Sequence, residues 1–346
     1  MRRERPTSGE NVMAKPVRMA DIAQKLNISV VSVSKALAGK PGVSEEMRAR
    51  VVALARQMGY EGVRPYAEAA STGNIGVLVA DHLFGESSFY NDLYRRLVLA
   101  GGSEGFTSML EIVSAQAEKT AQLPALIAGR KVDGLIFMGN LETPYLQAVA
   151  GSGLPCVLLD FHAPNMGLDC IVSDNVEGGC ALTEHLLRQG CTEIGFAGSI
   201  RATTSIMDRY LGYQRALRTA GLLPREEWLL EDRDEDGNYI SLTLPSPLPR
   251  AFVCNCDDVA YQMVETLRRA GVRVPQEVAV CGYDDFRFAT LCRPQLTSYR
   301  VDVELMARTA VDRLVVRMRG EEAPPVCYTI PGRLVVRESS AAAAMD

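Results

Sequence analysis

Four charged side chains stand where their chemistry could meet a ligand. Asp160 follows the apolar pair Leu158-Leu159, Arg209 opens Arg-Tyr-Leu-Gly-Tyr213, Asp257 follows Cys254-Asn-Cys256, and Asp284 lies in Cys281-Gly-Tyr-Asp-Asp285. Carboxylates accept hydrogen bonds from hydroxyl groups and a guanidinium donates to oxygens, so the set suits a polyhydroxylated ligand. Asn255 places an amide in the same stretch as Asp257. Thr204 sits in the hydroxyl run Thr203-Thr-Ser205, at a loop-to-helix step before Arg209, where backbone N–H groups favour polar ligand atoms. Phe89, Tyr90 or Phe161 could present an aromatic face to a sugar ring. A purine held by aromatic side chains and an arginine is the competing ligand. Each acid also has a structural use, as a helix N-cap or in a salt bridge, and Asp285 is assigned that use.

Other chemistries find less support. The nine cysteines are an odd number without a CxxC pair, and Cys254-Asn-Cys256 is too tight for zinc. They read as reduced, buried thiols of a cytoplasmic protein. His82, His162 and His185 have no metal-ligand spacing, so no metal or cofactor is expected. The turn after the first apolar run, Gly76-Val-Leu-Val-Ala-Asp-His82, is not a glycine-rich phosphate cradle, and neither GxxxxGK[ST] nor GxSxG occurs. An enzyme is therefore not expected.

These side chains need a scaffold that gathers distant segments. Strands are predicted at Ile75–Ala80, Thr107–Val113, Val132–Met138, Pro155–Leu159, Glu193–Gly198, Ala251–Asn255 and Glu277–Gly282. Helices are predicted between them at Phe89–Gly105, Lys119–Gly129, Val176–Gln189, Ser205–Ala220 and Asp258–Ala270. Continuous apolar strands alternating with helices indicate parallel sheets covered on both faces. The cycle restarts after Ser173-Asp-Asn, which gives two doubly wound α/β subdomains with a ligand cleft at the carboxyl ends of their strands. No apolar run approaches the ~20 residues of a membrane span. The residues after Met1-Arg-Arg lack the apolar core of a secretory signal, so a cytoplasmic location is expected.

The net charge of −5 hides a division. Residues 1–60 hold 11 Lys/Arg against 5 Asp/Glu (+6), and the other 286 residues hold 26 against 37 (−11). A basic head on an acidic body points to a polyanionic partner for the head. Met19, Ile22, Ala23 and Leu26 form one helical stripe. Asn27 suits a left-handed helix end, and Ser29 can cap a second short helix. A third opens at Ser44-Glu-Glu and runs to Met58. The first two form a helix-turn-helix unit, so the head is small and all-α. Ile28, Val33 and Leu37 can pack on the first helix, which leaves Val30, Val31, Ser32, Ser34 and Lys35 towards solvent. Valine methyls, hydroxyls and a lysine match the thymine methyls, base edges, phosphates and guanine acceptors of a major groove.

The run Met19-Ala-Asp-Ile-Ala-Gln-Lys-Leu-Asn-Ile-Ser-Val-Val-Ser-Val-Ser-Lys-Ala-Leu-Ala-Gly39 resembles the N-terminal signature of the lactose/galactose repressor (LacI/GalR) family. Pro41-Gly-Val-Ser-Glu-Glu-Met-Arg-Ala-Arg-Val51 and Met58-Gly-Tyr60 continue the likeness, which extends through most of the chain. It implies a DNA-binding transcriptional regulator, expected to be a repressor, with a periplasmic-binding-protein-like core. It further implies a small carbohydrate effector, a glucoside or oligosaccharide in particular. Val30, Val31 and Lys35 match the family's main base-reading positions, and Ser29, Ser32 and Ser34 match positions near backbone or base edges. Lys35 stands where the family usually has arginine, so a point charge replaces a bidentate fork. Arg18, Tyr60, Tyr66 and Ala69 complete the expected DNA contacts. Arg209, Asp257 and Asp284 fall at effector-contacting positions, although Cys256 separates Asn255 from Asp257 where the family has an Asn-Asp pair.

The resemblance also fixes the expected division. Residues 1–16 form a disordered extension, 17–60 the head, 61–73 the hinge, 74–337 the core and 338–346 a disordered tail. Within the core, one subdomain takes about 74–173 and 299–325, the other about 174–298 and 326–337. No leucine occurs between residues 61 and 74, where relatives wedge one into the minor groove. The hinge is therefore expected to bend DNA less than in relatives, or to use Tyr66 as its apolar contact. The tail lacks leucine heptads, so a homodimer on a palindromic operator is expected. The alternative is a sugar sensor that acts through protein contacts without specific DNA binding.

Overall fold

The computed structural model describes residues 19–37, 43–58, 71–84, 88–235, 237–321 and 323–341. The chain divides into two compact units, Met1–Ala70 and Ser71–Asp346. In the first, helices span Met19–Leu26, Val30–Leu37 and Glu45–Gln57. Asn27 takes a φ of 53°, which a short polar side chain tolerates, and turns the chain into the second helix. Ser29 Oγ accepts the Ser32 N–H at 3.0 Å, and Ser44 Oγ accepts the Met47 N–H at 3.3 Å, so each serine satisfies a free donor of a first turn. Ile22, Ala23, Val33, Ala36, Val51 and Ala55 form a core that joins all three helices. The expected contacts at Arg18, Tyr60, Tyr66 and Ala69, the extension 1–16 and the hinge residues 61–70 lie outside the described residues.

The second unit holds two six-stranded sheets. The first is built from β1 (Asn74–Ala80), β2 (Thr107–Val113), β3 (Gly134–Met138), β4 (Cys156–Leu159) and β5 (Asp169–Ser173). The second is built from β6 (Ile194–Ala197), β7 (Leu229–Leu230), β8 (Ala251–Cys254), β9 (Ala279–Asp284) and β10 (Thr297–Arg300). β11 (Cys327–Ile330) and β12 (Arg333–Val335) complete the two sheets, whose orders are β11-β5-β4-β3-β1-β2 and β12-β10-β9-β8-β6-β7. Every pairing is parallel except β10 with β12. All five residues of β3 and all four of β4, β6 and β8 are buried, as a sheet covered on both faces requires.

The chain passes between the sheets after β5, after β10 and after β11. The last passage corrects an expected boundary. β11 pairs in register with β5, Cys327 opposite Cys170, so residues 327–330 belong to the first sheet and the change of sheet falls at Pro331-Gly332, not at 325/326. β10 likewise keeps residues 299 and 300 in the second sheet.

Three further expectations change. Ser71–Gly73 belong to the body and not to the hinge, because Asp133 binds them. The helix predicted at Lys119–Gly129 is two short ones, Ala115–Lys119 and Ala125–Ala128, since Ala121 turns at φ 50° and Pro124 begins anew. Residues 338–341 are not a loose tail. Glu338–Ser340 forms a single helical turn with both serines buried, in which Ser339 Oγ accepts the Thr297 N–H at 2.9 Å and Ser340 Oγ lies 2.8 Å from His185 Nε2. Among the described residues no helix is long and apolar enough to cross a membrane.

Candidate functional site

On the second helix of the head, Val30 and Val31 are 47% and 63% exposed. Ser29, Ser34 and Lys35 are exposed as well, and Ser32 is half-buried. The residues read as facing DNA thus share an open face while Val33 is buried beneath them.

In the body, a cavity of about 450 Å³ opens at the carboxyl ends of both sheets. Six residues expected to bind effector line it: Phe89, Tyr90, Asp160, Arg209, Asn255 and Asp284. Asp160 and Asp284 follow or end buried strands and take φ values of 68° and 98°, conformations held by the surrounding structure rather than by local preference. Arg209 is placed by helix packing. It lies on the helix Thr204–Thr219, which crosses the helix Asn175–Arg188 at Gly179 and Gly212. A Cβ at Gly179 would collide with the Arg209 carbonyl, and one at Gly212 with the Val176 carbonyl, so only glycines permit this approach.

Arg209 is buried and almost fully engaged. Its Nε donates to Asn175 Oδ1 at 2.8 Å and its Nη1 to the Asn255 carbonyl at 2.6 Å. Its guanidinium lies 3.7 Å from the Tyr283 ring centroid, and Nη2 lies 3.7 Å from Asp284 Oδ1. Tyr90 donates its hydroxyl to Asp160 Oδ2 at 2.8 Å. Three buried acceptors, Asp160 Oδ1, Asp284 Oδ1 and Asn255 Oδ1, have no hydrogen-bond donor among the described residues. Burial raises the Asp160 carboxyl to about 6 against the opposing pull of Arg209 and the Tyr90 hydroxyl. It also raises Asp284, again opposed by Arg209. Such orphaned acceptors are costly unless a ligand's donors meet them.

Three expected residues do not reach the cavity. Asp257 accepts the Ser298 hydroxyl and the Phe286 N–H, both at 2.7 Å, and thereby joins β10 to the loop after β9. Burial pushes its pKa far up. Asp258 lines the wall instead, raised by burial to about 6. Phe161 is 2% exposed and packs in the core. Thr204 is off the wall, and its neighbours Thr203 and Ser205 are on it. Thr203 Oγ1 caps the helix by accepting the Ile206 N–H at 3.2 Å.

Several wall residues were not foreseen. Asp81 and His82 follow β1 directly, so the strand-end argument that found Asp160 would have found them. Burial, with help from Arg233, lowers the His82 pKa. Arg233, Asn238 and Tyr239 come from the loop between β7 and β8, where Arg233 pairs with Asp232 at 3.3 Å and donates to the Tyr239 hydroxyl at 3.2 Å. No local periodicity marked them. Among the described residues, no three or more His, Cys, Asp or Glu side chains are placed to hold a metal.

A helix-turn-helix head joined to a two-lobed α/β core with a polar cleft defines an effector-responsive DNA-binding regulator. Residues 18–62 match the model for bacterial regulatory proteins of the lacI family, and residues 183–340 match that for the periplasmic binding protein-like domain. The chain is 26% identical over 333 residues to the HTH-type transcriptional repressor PurR of Glaesserella parasuis serovar 5 (strain SH0165), covering 92% of this chain and 97% of that protein. It is 24% identical over 332 residues to the HTH-type transcriptional regulator DegA of Bacillus subtilis (strain 168), covering 92% and 97%. A solved complex of the transcriptional regulator CelR with cellobiose superposes with a TM-score of 0.67 at 25% identity, covering 93% of this chain and 99% of that one. The lac repressor dimer bound to operator and the anti-inducer ONPF shares the fold at a TM-score of 0.65 and 22% identity, covering 94% and 99%. The chain thus carries a lacI-family DNA-binding domain and a periplasmic-binding-protein-like domain, with LacI-family regulators among its relatives and structural neighbours. It is a DNA-binding transcriptional regulator with an effector-binding core.

Proposed function

We propose that this regulator is a repressor controlled by an uncharged, hydroxyl-rich sugar. The observation that carries the reading is the trio of buried acceptors that line one cavity, Asp160 Oδ1 from the first lobe and Asp284 Oδ1 and Asn255 Oδ1 from the second. Sugar hydroxyls are the donors such a wall requires. A sugar phosphate is disfavoured, because Asp81, Asp160, Asp258 and Asp284 share the cavity while Arg209 and Arg233 are already paired with protein groups. The solved CelR complex holds a disaccharide, cellobiose, which supports the same class.

The open face of Ser29, Val30, Val31, Ser32, Ser34 and Lys35 would read a half-site in the major groove. Two such heads on a homodimer would read a palindrome. Val98 and Leu99 on the helix Ser88–Ser103 and Ile112 on the edge strand β2 are exposed apolar side chains that a second copy would cover. Binding of effector would shift the two lobes and change operator affinity in a cytoplasmic, DNA-bound setting.

The test is calorimetric titration of the full chain with cellobiose, glucose, glucose 6-phosphate and hypoxanthine, followed by operator binding with each. Binding of a neutral sugar with a change in operator affinity is expected. Binding of the phosphate or the purine in preference to both sugars would overturn the reading.

A further inference from the structure

Where the chain joins the body, one side chain holds its first three residues. Asp133 Oδ2 accepts the Ser71 hydroxyl at 2.7 Å and the Gly73 N–H at 2.9 Å, while Oδ1 accepts the Thr72 N–H at 2.8 Å. The Asp133 N–H donates to the Asn74 carbonyl at 2.8 Å, and Asn74 Nδ2 donates to the Lys131 carbonyl at 2.8 Å. Burial alone would raise the Asp133 carboxyl, but the donors from Thr72, Ser71 and Gly73 outweigh it and hold the pKa below the usual value. The clasp is thus an ionised acceptor on the segment that leads to the DNA-binding head.

The clasp also lies at one end of a buried pair of strands whose other end is the effector cavity. β1 starts at Asn74 and β3 at Gly134, and they run side by side, Ile75 opposite Gly134 through Val79 opposite Met138. After seven residues, or roughly 23 Å, β1 passes into Asp81, His82 and Leu83, all on the cavity wall. There β3 passes into Gly139, where a Cβ would lie 3.1 Å from the Tyr90 ring. Tyr90 in turn bonds Asp160. Close-packed strands shift together rather than deform singly. A displacement of the wall therefore arrives at the clasp.

We propose that Asp133 is a positioning residue that couples the effector cavity to the DNA-binding head. It fastens the segment leading to the head to the β1–β3 pair, so the state of the cavity sets where that segment starts. The inference rests on reading the cavity as the effector site. If Asp133 served only to cap a turn, its loss would lower stability and leave DNA binding alone.

The experiment compares the full native chain with Asp133→Ala and Ser71→Ala. The DNA probe is a duplex selected by the native chain from a random-sequence pool, and the ligand probe is cellobiose. Ligand-free operator affinity is expected to change at least fivefold in Asp133→Ala and less in Ser71→Ala. The ratio of affinities with and without cellobiose should move towards one, while cellobiose affinity stays within twofold of native. Native operator affinity in Asp133→Ala, with or without a lowered melting midpoint, would overturn the coupling role. If native operator binding ignores cellobiose but Asp133→Ala still alters ligand-free affinity, the clasp stands and the sugar reading is what fails.

Discussion

Replacing Arg209 by methionine keeps an unbranched stem over Tyr283 and removes a buried charge. The variant loses the donors at 2.8 Å to Asn175 Oδ1 and 2.6 Å to the Asn255 carbonyl. Charged hydrogen bonds contribute about 1.5–3 kcal/mol each, and partial relaxation makes a net loss of about 3 kcal/mol the reasonable figure. A second contribution depends on pH. Burial raises Asp160 to about 6 and raises Asp284, and Arg209 opposes both shifts. Carboxyls with folded pKa values above the unfolded value near 3.9 bind protons more tightly when folded. Their contribution is complete below about pH 4 and is lost as pH rises through about 6 for Asp160. Without Arg209 both pKa values climb further, and each added unit costs about 1.4 kcal/mol at pH 7.5. The deficit of Arg209→Met should therefore grow from about 3 kcal/mol at pH 5 to about 4.5 kcal/mol at pH 7.5. At roughly 2 °C per kcal/mol, the melting midpoint should fall by about 6 °C and about 9 °C. Scanning calorimetry of both proteins at the two pH values measures this. A deficit that is constant, or smaller at pH 7.5, would show that Arg209 does not shield these acids.

Lys35→Ala should weaken operator binding by about 1–3 kcal/mol, the range of a lost base contact, while non-specific duplex loses much less; anisotropy titrations on both DNAs decide this. Asp169 is a different case from Asp160, because its buried carboxylate accepts from Arg313 Nη2 at 3.0 Å, Arg317 Nη2 at 2.9 Å and the Val326 N–H at 2.8 Å. Asp169→Asn sets an amide against two guanidiniums and should cost about 3–5 kcal/mol in urea unfolding at pH 7. Burial raises the Asp169 pKa, but the Arg317, Val326 and Arg313 donors prevail and lower it. Its contribution is thus present above about pH 4 and lost in acid, so the gap between native and variant should close as pH falls. A gap that persists in acid would contradict the assignment.

What the sequence made legible follows from how far a side chain's constraint lies along the chain. β3, β4, β6 and β8 are apolar at every position because both sheet faces are covered, and that local pattern located the end of β4 and with it Asp160, whereas Asp284 at the end of β9 was marked by its match to a family position. Asn27 and Ser29 were legible for a similar reason, since a left-handed residue followed by a hydroxyl cap is a purely local device. β11 and β12 were not legible. Their three or four residues are partly exposed, and the sheet each one joins depends on where the chain crosses at Pro331-Gly332.

The pair Asp257-Asp258 shows the limit within the site itself. Both begin one helix, and successive residues on a helix point about 100° apart, so only one can face the cavity. Ser298, on β10, and the Phe286 N–H decide which. They claim Asp257 as their acceptor and leave Asp258 to the wall. Nothing within the helix encodes that choice, because the deciding groups lie 29 and 41 residues away. Arg233 and Tyr239 were hidden likewise, in a charged loop that reads as solvated surface until Asp232, bonded to the Ser199 N–H and Asn255 Nδ2, draws its start inward. The same logic makes Asp133 informative. Its acidic side chain next to a strand start looks unremarkable in sequence, and only the pairing of β1 with β3 puts it against Ser71–Gly73, at the opposite end of the strands from the cavity.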